Sequence, residues 1–124
     1  MIDKISNLHL IKSSELRDNI NKIYDEVSEI IANTESVEKA EPLIRKMLYN
    51  HVLGVGKPIS ICDSVVYHNS LLNHISVELL IDYRVTYGYR PYQKLDNSIE
   101  LGFIIYRSDA ISYIRDKKID SIID

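Results

Sequence analysis

A single cysteine, Cys62, leaves no disulfide possible within the chain, so cysteine usage gives no support to secretion. No apolar run approaches the roughly 20 residues of a membrane span, which excludes a membrane helix as the organising feature. The opening Met1-Ile2-Asp3-Lys4-Ile5-Ser6-Asn7 carries an early acid and lacks the long apolar core of a signal peptide. A soluble protein made and kept in a cytoplasm is the expectation. Clustered Lys and Arg are missing too, and the net charge is −3, against what a general phosphate-backbone binder needs. Nucleic acid is therefore not the expected partner. There is no internal repeat, no low-complexity stretch and no sign of a second domain.

The chain has 124 residues, with a hydrophobic fraction of 45% and a charged fraction of 27%, which suits one domain built on one core. Residues 1–12 hold Ile2, Ile5, Leu8, Leu10 and Ile11 without a settled period. This apolar leader either packs on the domain or docks on a partner, and a single domain is expected over 13–124.

Leu16, Ile20, Ile23, Val27 and Ile30 recur at four-three spacing, the seam of a first helix, with Ile31 widening it. Ser13 or Ser14 can cap its start, and Glu15 and Asp18 sit where the helix dipole favours acids. A second helix is expected from Ser36 to about Leu53, with Val37, Ala40, Ile44, Met47 and Leu48 inward. Pro42 suits a first turn, which moves the regular start towards Glu41 and leaves 36–40 as a separate turn. Gly54, Gly56 and Pro58 end that helix.

Strands are expected at about Ile59–Tyr67, Ile75–Tyr87 and Ile99–Tyr106, with a turn at His68–Asn73. The middle one is the strongest pattern in the chain. Ile75, Val77, Leu79, Ile81, Tyr83, Val85 and Tyr87 alternate with polar residues, interrupted only by Leu80. One buried and one solvated face explains such alternation. Extended, that run would reach about 40 Å, longer than most strands, which offers an edge for pairing with another chain. Ser108 and Asp109 would start a closing helix with Ile111 and Ile114 facing the core. The expected class is α+β: two N-terminal helices, a three-stranded antiparallel meander and a C-terminal helix.

Motifs for chemistry are sparse. Gly54-Val55-Gly56-Lys57 lacks the spacing of a phosphate-binding loop and lies between helix and strand, the reverse of that motif's context. Cys62, His68 and His74, with Asp63, are residue types used in metal sites and Cys–His nucleophile pairs, but without a recognisable local pattern. A buried thiol with two turn imidazoles fits them as well. Glu78 and Asp82, about 13 Å apart along a strand, are too distant for a glycosidase pair. No cofactor, no metal and no catalytic residue is expected. Tyr83, Tyr87, Tyr89, Tyr92 and Tyr106, interleaved with Arg84 and Arg90, fit cross-strand aromatic packing, protein binding or base stacking. The contact residues chosen are Tyr83, Arg84, Tyr87, Tyr89, Arg90 and Tyr92.

Three segments together carry a resemblance. They are Ala40-Glu41-Pro42-Leu43-Ile44-Arg45-Lys46-Met47-Leu48, then Pro58-Ile59, then Val77-Glu78-Leu79-Leu80-Ile81-Asp82-Tyr83-Arg84-Val85. In that order they resemble the sheath-initiator family, or lysozyme-like baseplate wedge proteins, of contractile phage tails and related secretion systems. Where that family carries Glu-Pro-Arg, this chain has Lys57-Pro58-Ile59, and the family's Gly- and Phe-rich loop between the first two helices is absent. The resemblance implies an α+β protein that docks on a baseplate wedge and pairs strands with the first sheath ring. The expected function is thus a non-enzymatic interaction or assembly protein, a virion component included, with protein partners and a homo-oligomer or larger assembly. The alternative is a small regulator that binds a nucleotide-like ligand or inhibits a host enzyme.

Overall fold

Helix α1, Ser14–Asn33, follows the apolar seam, burying Leu16, Ile20, Ile23, Val27 and Ile31. Ile30 is only half-buried, contrary to the four-three reading. A strict seven-residue repeat lags about 20° per heptad on a straight helix, so Ile30, two heptads past Leu16, has rotated off the core. Ser28 takes a place on the buried side, its hydroxyl donating to the Tyr24 carbonyl at 2.9 Å. The computed structural model describes residues 4–11, 14–52, 60–82 and 98–123.

Helix α2 runs Val37–Val52 and contains Pro42. The separate turn expected at 36–40 is not there. Ser36 is the cap: its side-chain oxygen accepts from the Lys39 amide at 3.2 Å and its carbonyl from the Ala40 amide at 3.0 Å. Capping at Ser36 and burial of Val37, Ala40, Ile44 and Leu48 outweigh the one helical bond that Pro42 cannot make to the Glu38 carbonyl.

Three antiparallel strands follow: β1 Ser60–Asn69, β2 His74–Asp82 and β3 Ser98–Tyr106, in spatial order β1-β2-β3. The first turn is shorter than the sequence suggests, because Asn69 still pairs with His74. Asn69 accepts the Leu72 amide on its side-chain oxygen at 3.0 Å, and Asn73 takes a left-handed φ of 54°. β2 continues through Leu80 without interruption. The irregularity lies opposite, in β1, where Ile61 pairs with Ile81 and Asp63 with Leu80, leaving Cys62 as the extra residue of a bulge. Residues 83–87 of the expected long strand lie outside the described residues.

Helix α3, Arg107–Ile123, starts directly after β3, so Ser108 lies inside it rather than capping it. Ala110 is buried, and Tyr113 and Ile114 are half-buried; Ile111, expected in the core, is exposed. Ala110 has no accessible surface, and α3 packs mainly on α1. The resulting α+β domain places all three helices on one side of the sheet. Ile75, Val77, Leu79, Ile81, Leu101, Phe103 and Ile105 face them.

The leader, read as able to pack or to dock, packs over its described residues 4–11. Ile5 and Ile11 are buried in the main core, and Leu8–Leu10 form a 3₁₀ turn after Asn7, whose φ is 63°. Ser6 bridges to Gly102 on the free side of β3.

A candidate interaction surface

The residues chosen from the sequence, Tyr83, Arg84, Tyr87, Tyr89, Arg90 and Tyr92, lie outside the described residues. Their flanks are fixed: Asp82 and Ser98 are register partners, so that segment begins and ends at one end of the sheet.

Strand edges are the first place to look for a partner, and each edge is partly covered within the domain. Along β3, the Ser6 amide and hydroxyl donate to the Gly102 carbonyl at 2.8 and 2.9 Å, and the Asn7 side-chain amide donates to the Glu100 carbonyl at 2.9 Å. Along β1, Arg45 of α2 donates to the Val66 carbonyl at 2.7 Å, and the Glu41 carboxylate accepts the His68 amide at 2.9 Å. The same Glu41 oxygen lies 3.1 Å from His68 Nδ1. Asp63 takes the Ser64 amide at 2.8 Å. Side chains thus satisfy backbone groups that would otherwise template another strand.

The face of the sheet turned away from the helices is different. Register pairs arrange it in rows: Asp63, Leu80 and Glu100; Val65, Glu78 and Gly102; Tyr67, Ser76 and Ile104; Asn69, His74 and Tyr106. Val65, Tyr67, Ile104 and Tyr106 are all exposed, with Ile104 at 54%. On the central strand Ser76 and His74 are buried beneath their neighbours. Tyr67 donates to Glu78 at 3.2 Å, and the His74 ring meets Tyr106 edge-on, centroids 5.1 Å apart. His74 Nδ1 is buried without a hydrogen-bond partner. Asp63, Glu78 and Glu100 gather at one end around a hollow of about 110 Å³ that Val65 and Leu80 also line. At the opposite end of the sheet the turn residues Leu71 and Leu72 are exposed.

Sequence reasoning missed Val65, Tyr67, Ile104 and Gly102 as candidates. A signal was present. Val65-Val66-Tyr67 and Phe103-Ile104-Ile105-Tyr106 are continuous apolar runs, the pattern of strands covered on both faces, whereas β2 alternates.

Other clusters have structural explanations. Tyr113 donates to Asp25, and Lys117 Nζ lies 2.6 Å from the other Asp25 oxygen. Lys4 stands 4.7 Å from the Tyr113 ring centre, and Tyr24 meets both Phe103 and Tyr113 edge-on. Burial raises the Tyr113 pKa, reinforced by its bond to Asp25. Burial also raises Tyr24, with the Asp109 and Asp25 charges adding to it. Phenols shifted upward stay protonated at neutral pH and donate rather than act as bases. The cluster clasps the leader and α3 to α1. Between α1 and α2, Ile30, Leu43 and Met47 floor a groove of about 440 Å³ rimmed by Glu26 and Glu29.

Cys62 and His68, six residues apart along β1, are separated by about 20 Å and cannot form a nucleophile pair. His68 and His74 occupy opposite faces of the sheet, so they cannot share a metal ion. Among the described residues no group of three or more His, Cys, Asp or Glu is placed to hold one, and no helix is long and apolar enough to cross a membrane.

No protein-family model matches the chain, and no curated protein or solved structure matches it.

Proposed function

We propose that this chain is a non-enzymatic interaction or assembly protein whose contact surface is the outer face of its sheet. One observation carries the reading: both flanking strands present large apolar side chains, Val65, Tyr67, Ile104 and Tyr106, on the face the helices leave open. Water-facing positions of an open antiparallel sheet are ordinarily polar. Tyr is also among the residue types that anchor protein interfaces. The proposal extends to Tyr83, Arg84, Tyr87, Tyr89, Arg90 and Tyr92, which the sequence interleaves in the manner of binding hot spots. The resemblance to sheath initiators supports a virion component, a tail or baseplate protein, as the setting. With groups on each described edge already bonded within the domain, contact through side chains on the face fits this sheet better than strand addition.

Light scattering on the full chain across a wide concentration range, with capture of tail or baseplate proteins, tests the proposal. Ile104→Lys should abolish partner capture while leaving the circular dichroism spectrum intact, and Tyr87→Ala with Tyr89→Ala should weaken it. Capture unaffected by both sets of changes would refute the assigned surface.

A further inference from the structure

The outer face has a shape and a polarity that together describe its occupant. Val65 and Tyr67 on β1 and Ile104 and Tyr106 on β3 stand on either side of the buried Ser76 of β2. The β1 and β3 backbones lie two strand spacings apart, about 9.6 Å, so one α-helix laid over β2 would reach the apolar side chains of both flanking strands. Gly102 adds no side chain to the face beside Glu78. A Cβ built there would meet nothing nearer than 3.6 Å, so packing inside the chain does not require glycine at this position. Glycine inside a strand weakens it and is found where another backbone approaches closely, and here the backbone of Ser6 in the same chain already bridges to it.

Charge fixes the direction. Among the described residues of this face, Asp63, Glu78 and Glu100 lie at one end and no Lys or Arg is present. A second copy of the chain would bring three more carboxylates to this face, whereas a partner carrying Lys or Arg would pair with those already there.

We infer that the outer face receives an amphipathic helix of a partner protein, laid over β2 against the apolar side chains of both flanking strands, with Lys or Arg at the end over Asp63, Glu78 and Glu100. The inference rests on the interaction reading above and names its partner's chemistry. Four rows of alternate residues span about 20 Å, which a helix covers in about 14 residues. Its apolar positions fall at i, i+3, i+4 and i+7, as in other helix-in-groove complexes.

The test is selection of a displayed library of amphipathic helices, apolar stripe fixed and polar positions randomised, on the full chain. Selected helices should carry basic residues clustered at one end, and amide shifts on binding should map to β1, β2 and β3. Affinity should fall at least about tenfold in Ile104→Lys, in Gly102→Leu and in the triple Asp63→Asn, Glu78→Gln, Glu100→Gln variant, and also at high salt. Gly102→Ala should fold and bind, guarding against a mere folding defect. Helices without basic bias, or indifferent to these changes, overturn the inference. A chain that instead doubles in mass through this face, with Ile104→Lys restoring the monomer, also overturns it but leaves the interaction reading standing. A strict monomer that selects no helix removes both.

Discussion

If the leader is part of the core, Ile11 is its anchor, and Ile11→Ala isolates that claim. Ile11 has no accessible surface, whereas Leu10 beside it is 47% exposed. Truncating a fully buried Ile to Ala costs about 2–5 kcal/mol, from lost transfer energy plus the cavity left behind. The same change at a half-exposed position costs less than about 1 kcal/mol. Against a domain stability of roughly 5–15 kcal/mol, Ile11→Ala should remain folded but shift its urea midpoint clearly, with a fall in Tm of about 10 °C. Loosening Ile11 also frees the bridge it supports, so the Ser6 amide, now donating to Gly102 at 2.8 Å, should exchange with solvent faster than amides of β2. Urea unfolding followed by circular dichroism, with hydrogen exchange on the parent and both variants, reads both effects. Equal stabilities for Ile11→Ala and Leu10→Ala, with Ser6 protection unchanged, would refute a packed leader guarding β3.

Replacing Glu41 and Arg45 together with Ala strips the cover from the Val66 carbonyl and the His68 amide, and should raise the concentration-dependent mass above that of the parent. An unchanged mass would mean that this edge needs no guard. Pro42→Ala restores a donor for the Glu38 carbonyl and should stabilise the chain by about 1–2 kcal/mol in urea, the helical gain being partly offset by a more flexible unfolded chain. A destabilised variant would show that proline suits this turn. Tyr113 and Lys117 both have raised pKa values, Tyr113 through burial and Lys117 through its bond to Asp25. Groups raised on folding stabilise below their unfolded pKa values, 10.0 and 10.5, and lose that contribution as pH rises through the folded ones. Stability should therefore decline above about pH 10, and less steeply in Tyr113→Phe; parallel declines would remove Tyr113 from the account.

The site was less legible than the fold. β1 and β3 betrayed their second apolar face through unbroken runs at 65–67 and 103–106, but a continuous run does not say whether the covering layer belongs to the same chain. Three helices could have covered both faces of the sheet, and only their packing on a single side exposed Val65, Tyr67, Ile104 and Tyr106. The edge guards were invisible for a similar reason. Nothing local to Glu41 or Arg45 marks them as partners of strand backbone at His68 and Val66, 27 and 21 residues away.

What the sequence determined by itself was periodic. The spacing of Leu16 through Val27 made a helix, the alternation of Ile75 through Ile81 made a half-buried strand, and Asn69 to Asn73 made a turn; each is a local matter of backbone geometry and side-chain direction. The tertiary structure decided what those periods leave unspecified. It set the α1 stripe on Ile31 instead of Ile30, carried α2 through Pro42 and put the bulge at Cys62. It also folded the leader onto β3 and left one face of the sheet uncovered. Each of these depends on contacts between residues distant in sequence, where burial of a few side chains outweighs local preference by a small margin that no local pattern encodes.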